Sequence, residues 1–75
     1  MIKYNLKTLI FDKEFKENRK VTYEEISKTT KISRQTLSKI ASTKGYKTSS
    51  DNIEKLCNFF DVTPDKLMTI IPDEE

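Results

Sequence analysis

Apolar positions recur along this chain in short helical bursts separated by polar turns. Leu6, Leu9 and Ile10, with Phe11, Glu14 and Phe15 continuing the spacing, predict a first helix from about Leu6 to Glu17 capped by Asn5. The charged string Lys16 to Lys20 reads as a polar connection. Thr22-Tyr-Glu-Glu25 has the form of a capping box, in which Thr22 caps a second helix and Glu25 reaches back to it. Ile26 and Thr30 line that helix's inner side. Lys31-Ile32-Ser33 interrupts the period, and Ser33 can cap a third helix whose Leu37, Ile40 and Ala41 recur at i, i+3 and i+4. The pattern from Thr22 to Ser42 is thus helix, brief turn, helix. Ser42 to Ser50, rich in Ser, Thr and Lys and holding Gly45, reads as a basic loop. Ser49 or Ser50 can cap a fourth helix, with Asp51 in its first turn and Ile53, Leu56, Cys57 and Phe60 inward. Asp61-Val62 ends it. Thr63-Pro64-Asp65 opens a fifth helix carrying Leu67, Met68 and Ile71, which Pro72 stops. For the chain ends there is an alternative, a short strand of Ile2 and Tyr4 beside residues near Met68 to Ile71.

These elements predict an all-α fold of five helices around one core, a single domain over residues 1–75. The length of 75 residues and the 35% apolar share suit a small core, and a 35% charged share of nearly balanced sign argues against wholesale disorder. No apolar run approaches the roughly twenty residues that span a bilayer, and MIKYNLK lacks a signal peptide's hydrophobic stretch, so a cytoplasmic protein is expected. One cysteine makes no internal disulfide, and on the apolar side of its helix Cys57 reads as a core residue. Phe59 and Phe60 read as core and interface. With no histidine, no glycine-rich phosphate loop and no evident carboxylate pair, an enzyme has nothing to point to; no metal, cofactor or small-molecule ligand is expected.

Charge changes the picture more. Residues 1–50 carry twelve Lys or Arg against five Asp or Glu, whereas residues 51–75 carry two against seven. From Ile26 to Ser50 there are six basic residues and no acidic one, the footprint of a surface that meets a polyphosphate. For a charge run taken alone, a solvated lysine face is the favoured reading. At about 100° per residue, the direction opposite Leu37, Ile40 and Ala41 on the third helix is held by Gln35, Ser38, Lys39 and Ser42, with Arg34 near it. Glutamine pairs with adenine in bidentate fashion, Arg and Lys with guanine, and Ser or Thr with several bases. The second helix would brace the third while its first amides, near Tyr23 and Glu24, approach a backbone phosphate. Tyr46 could meet a phosphate or pack over the helix junction, and Lys3 and Lys28 read as solvated charges. The acidic tail Asp73 to Glu75 reads as a solubilising end.

Val21-Thr-Tyr-Glu-Glu-Ile-Ser-Lys-Thr-Thr-Lys-Ile-Ser-Arg-Gln-Thr-Leu-Ser-Lys-Ile resembles the core motif of the lambda repressor/Cro-type (XRE) helix-turn-helix family, small bacterial and phage DNA-binding domains of about five helices. Asn52-Ile-Glu-Lys-Leu-Cys-Asn-Phe-Phe-Asp-Val-Thr-Pro-Asp-Lys-Leu resembles that family's fourth and fifth helices. The opening Ile-Lys-Tyr-Asn-Leu and the ending Ile-Pro-Asp-Glu-Glu resemble a compact single-domain subgroup. The resemblance places the motif at about 22–42 and implies that Arg34, Gln35, Ser38 and Lys39 read bases. Backbone contacts would fall on Tyr23, Thr36, Ser42, Lys44, Tyr46 and Lys47. Three departures stand out. Ser27 takes a position usually held by alanine. Lys31 takes the turn position usually held by glycine, where a left-handed conformation carries a strain of about 1 kcal/mol or more. The stretch from Phe11 to Val21 is longer than usual, so the first helix is extended or followed by an extra turn.

The expected function is a sequence-specific transcriptional regulator of double-stranded DNA, a repressor binding as a homodimer to half-sites about one helical turn apart. Dimer contacts are expected from Phe59, Met68, Ile70 and Ile71, in the acidic C-terminal part of the chain. The rival reading is a protein-binding regulatory module, such as an antitoxin or antirepressor, that keeps the fold and turns its surface to a protein.

Overall fold

A computed structural model describes residues 1–72; the acidic tail lies outside the described residues. The elements run β1 (Ile2–Tyr4), α1 (Leu6–Glu17), α2 (Tyr23–Thr30), α3 (Arg34–Ser42), α4 (Ser50–Phe60), α5 (Pro64–Leu67) and β2 (Met68–Ile70). The helices enclose one apolar cluster in which Leu6, Ile26, Leu37, Ile40, Leu56 and Leu67 are almost wholly shielded from water. Each of these helices is too short to persist alone in water. Burial of these six side chains, at about 1.5–3 kcal/mol apiece, is what holds them.

The caps of α2, α3 and α4 follow the sequence, whereas Thr63 precedes α5 without a side-chain bond to its amides. Thr22, Ser33 and Ser49 each accept a backbone N–H three residues on, from Glu25 (3.2 Å), Thr36 (3.1 Å) and Asn52 (3.1 Å). Three expectations need correction. Asn5 does not cap α1 with its side chain; its amide nitrogen instead donates to Thr69 Oγ1 (2.9 Å) and the Lys66 carbonyl (3.3 Å), tying the start of α1 to the end of the chain. Glu25 does not reach back to Thr22, because its carboxylate accepts both guanidinium arms of Arg19 (2.7 and 2.9 Å). Phe11 and Phe15 do not join the core: they stand 66% and 81% exposed.

The fifth helix is also shorter than its apolar spacing suggests. It stops at Leu67, and Met68–Ile70 pair antiparallel with Ile2–Tyr4 in the register Ile2 to Ile70, Lys3 to Thr69 and Tyr4 to Met68. The β-branched run Thr69-Ile70-Ile71 loses rotamer freedom in a helix and little in a strand, and β1 supplies the missing hydrogen-bond partners. The all-α expectation is thereby amended by one two-stranded sheet, the alternative weighed for the chain ends. Backbone bonds extend it at both ends, from Asn5 N to Leu67 O (2.7 Å) and from Ile71 N to Met1 O (2.9 Å).

The long connection between α1 and α2 contains no further helix. α1 closes at Asn18, left-handed at φ 53°, and the chain then turns so that Val21 enters the core. Glu14 accepts the Val21 N–H at 2.9 Å, and Arg19 bridges Glu17 and Glu25. These bonds pin the turn to both helices.

Candidate nucleic-acid interface

The geometry of α2 and α3 comes from a few residues at their junction. Thr30 is the one buried polar residue among those described; its hydroxyl donates to the Ile26 carbonyl (2.7 Å) and accepts the Ile32 N–H (3.3 Å). Lys31 then turns the chain in the left-handed region at φ 67° and ψ 16°, its N–H closing α2 on the Ser27 carbonyl (2.8 Å). Ile32 drops into the core, and Ser33 caps α3 in an extended conformation. Four consecutive residues with four different tasks fix the angle between the helices. α2 packs on both α3 and α4, so the pair is braced from behind.

On α3, Leu37 and Ile40 are buried, and Arg34, Gln35, Ser38, Lys39 and Ser42 are all exposed. With 3.6 residues per turn, those five fall within an arc of about 140° centred opposite the buried pair. The four proposed base-reading side chains therefore share one solvent-facing surface. The proposed backbone contacts are distributed around it. Lys44 and Lys47 are exposed in the loop after α3; Tyr46 is half-buried against the core, as is Tyr23 at the start of α2. Thr36 is half-buried and its hydroxyl accepts a bond from that of Ser33 (2.9 Å), while the Ser42 hydroxyl donates to the Ser38 carbonyl (2.7 Å). Those two hydroxyls are already engaged by the protein, unlike the lysines.

The electrostatics are one-sided. Of the six cations between Ile26 and Ser50, only Lys28 has an acidic partner among the described residues, Glu24 at 3.5 Å. Lys31, Arg34, Lys39, Lys44 and Lys47 face solvent without one. The two carboxylates at the start of α2 would repel an approaching phosphate, yet both are matched: Glu24 by Lys28 and Glu25 by Arg19. Hydrogen bonds and the charge of Arg19 hold the Glu25 carboxyl below its ordinary range. Thr22 takes the Glu25 N–H with its side chain and the Ile26 N–H with its carbonyl. The Tyr23 and Glu24 amides remain as first-turn donors outside the helix ladder. Arg19 is the residue that reading the sequence missed. It lies six positions from Glu25 across a non-helical turn, so no helical spacing announces the pair.

A family model described as a helix-turn-helix domain matches residues 13–70. The chain belongs to the helix-turn-helix domain family. The match runs from the later part of α1 through β2, in line with the resemblance to the lambda repressor/Cro-type group, and supports DNA binding and transcription regulation as the class of function. No curated protein matches this helix-turn-helix chain. Among its described residues, no helix is long and apolar enough to cross a membrane.

Proposed function

We infer that this helix-turn-helix protein is a sequence-specific regulator of transcription, a cytoplasmic repressor that binds double-stranded DNA as a homodimer. α3 lies in the major groove, whose width of about 12 Å admits one helix. Arg34, Gln35, Ser38 and Lys39 contact base edges, while Tyr23, Thr36, Ser42, Lys44, Tyr46 and Lys47 sit along the backbones. The observation that supports this most is the outer face of α3, where four side chains suited to base edges stand exposed together without a carboxylate among them. For dimer contacts, Ile70 offers the most exposed apolar side chain of β2, at 82%, beside the half-buried Met68 and Ile71. Phe59 is a poorer candidate, since Lys13 covers its ring at 5.0 Å.

The test is to select duplexes from a random pool with the purified protein and measure affinity for the winner and for scrambled controls. Gln35→Ala should cost about 1–3 kcal/mol on the selected site and little on scrambled DNA. An unchanged site preference and affinity in that variant would refute the base-reading role. Solution mass with and without the duplex tests the dimer.

A second reading, a module that binds a partner protein, has one observation in its favour. Phe11 and Phe15 stand exposed on α1, and Phe15 borders a groove of about 340 Å³ whose walls include Leu9, Phe60 and Val62. Binding to a protein that persists at high salt, together with no affinity for random DNA at low salt, would favour it over DNA recognition.

A further inference from the structure

The loop that follows α3 is anchored to β1. The Gly45 N–H donates to the Ile2 carbonyl at 2.8 Å, and Gly45 is left-handed at φ 74°, with the Met1 side chain 3.7 Å from where a Cβ would stand. This joint sets β1 against the last turn of α3. Between them lies a shallow cleft of about 100 Å³ lined by Lys3, Tyr4, Ile40, Ala41, Ser42, Thr43 and Lys44. No carboxylate lines it. Tyr4 is buried, so the alternation of a strand turns Lys3 to the opposite side, where it is exposed and has no ion-pair partner among the described residues. Two cations forty-one positions apart in sequence thus flank one small opening next to the helix whose outer face reads bases.

We propose that Lys3 and Lys44 together clamp one phosphate of the DNA backbone in this cleft. The clamp rests on the reading of α3 as the major-groove helix, and makes β1 part of the DNA interface. A phosphate oxygen there meets two ammonium groups, with the Thr43 hydroxyl beside them. Such a contact positions the protein without reading sequence, so it acts equally on every duplex.

The experiment measures duplex affinity by fluorescence anisotropy from 50 to 200 mM salt for wild type, Lys3→Ala, Lys44→Ala and Lys16→Ala, on the selected duplex and a scrambled one. Lys16 lines the groove between α1 and the end of α4, away from α3, and serves as the control for lost net charge. Each phosphate contact contributes about 0.9 to the slope of log affinity against log salt. Lys3→Ala should flatten that slope by about 0.9 on both duplexes, and its deficit against wild type should shrink about 3.5-fold across this salt range. Lys16→Ala should leave the slope in place. An unchanged slope in Lys3→Ala, or equal flattening in Lys3→Ala and Lys16→Ala, overturns the clamp. A wild type that binds no duplex even at 50 mM salt overturns the regulator reading itself, and the clamp with it.

Discussion

Replacing Lys31 by glycine should make the protein more stable. Lys31 ends α2 at φ 67°, where a Cβ crowds the following carbonyl, and the cost for a non-glycine L-residue is roughly 1–2 kcal/mol. Its side chain is exposed and unpaired among the described residues, so truncation removes no ion pair. The N–H bond to Ser27 survives the change. Against the relief stands glycine's greater freedom in the unfolded chain, about 0.5–1 kcal/mol. The net gain is about 0.5–1 kcal/mol, or roughly 2–8 °C in melting temperature for a domain of this size. Urea and thermal unfolding followed by circular dichroism would measure it. Asn18 and Asp61, left-handed at φ 53° and 56°, supply an internal scale. Asn and Asp tolerate this region better, so Asn18→Gly and Asp61→Gly should gain less. A Lys31→Gly protein no more stable than wild type, or one that gains less than Asn18→Gly, would refute the strain argument. Because the change also removes a cation from the basic stretch, DNA affinity should not rise with stability.

Three further outcomes are expected. Hydrogen bonds hold two carboxyls below their ordinary value of 4.5: that of Glu17 through Lys13 first and Arg19 second, that of Glu25 through Arg19. A lowered carboxyl stabilises the fold above its unfolded pKa, and that contribution fades as pH falls through the folded one, so wild type should lose stability below about pH 4.5 more steeply than Arg19→Ala in urea titrations. Ser33→Ala removes the cap of α3 and the Thr36 hydroxyl's partner, which should cost about 1 kcal/mol in unfolding experiments and loosen the start of α3 in hydrogen exchange. Burial raises the Cys57 thiol pKa, with the nearby Asp65 charge adding to it, so alkylation at pH 8 should be slow in the native protein and jump at the unfolding midpoint in urea.

Much of the fold could be read from the residues alone where the determinants are local. Thr22, Ser33 and Ser49 cap the next turn through atoms three residues away, and Ile26, Leu37, Ile40 and Leu56 recur at spacings that only a helix brings to one side. The left-handed turn at Lys31 was suggested only by the resemblance, in which glycine usually holds that position. Misreadings came where a distant partner outbid the local one. Asn5 had a helix to cap and bonded Thr69 and Lys66 instead; Glu25 had Thr22 behind it and took Arg19. Phe11 and Phe15 share the helical spacing of Leu6 and Leu9, yet spacing alone does not say where the inner face ends.

By itself the sequence determined the number of helices, the caps of α2, α3 and α4, the identity of the central core, and the set of side chains on the outward arc of α3, since each depends on residues within a turn or two. Only the tertiary structure decided that Met68–Ile70 leave the helix for a strand, that Arg19 matches the charge at the start of α2, and that Lys3 stands beside Lys44. Those outcomes rest on hydrogen bonds and charges between segments that periodicity does not connect, formed only when the core brings the two ends of the chain together.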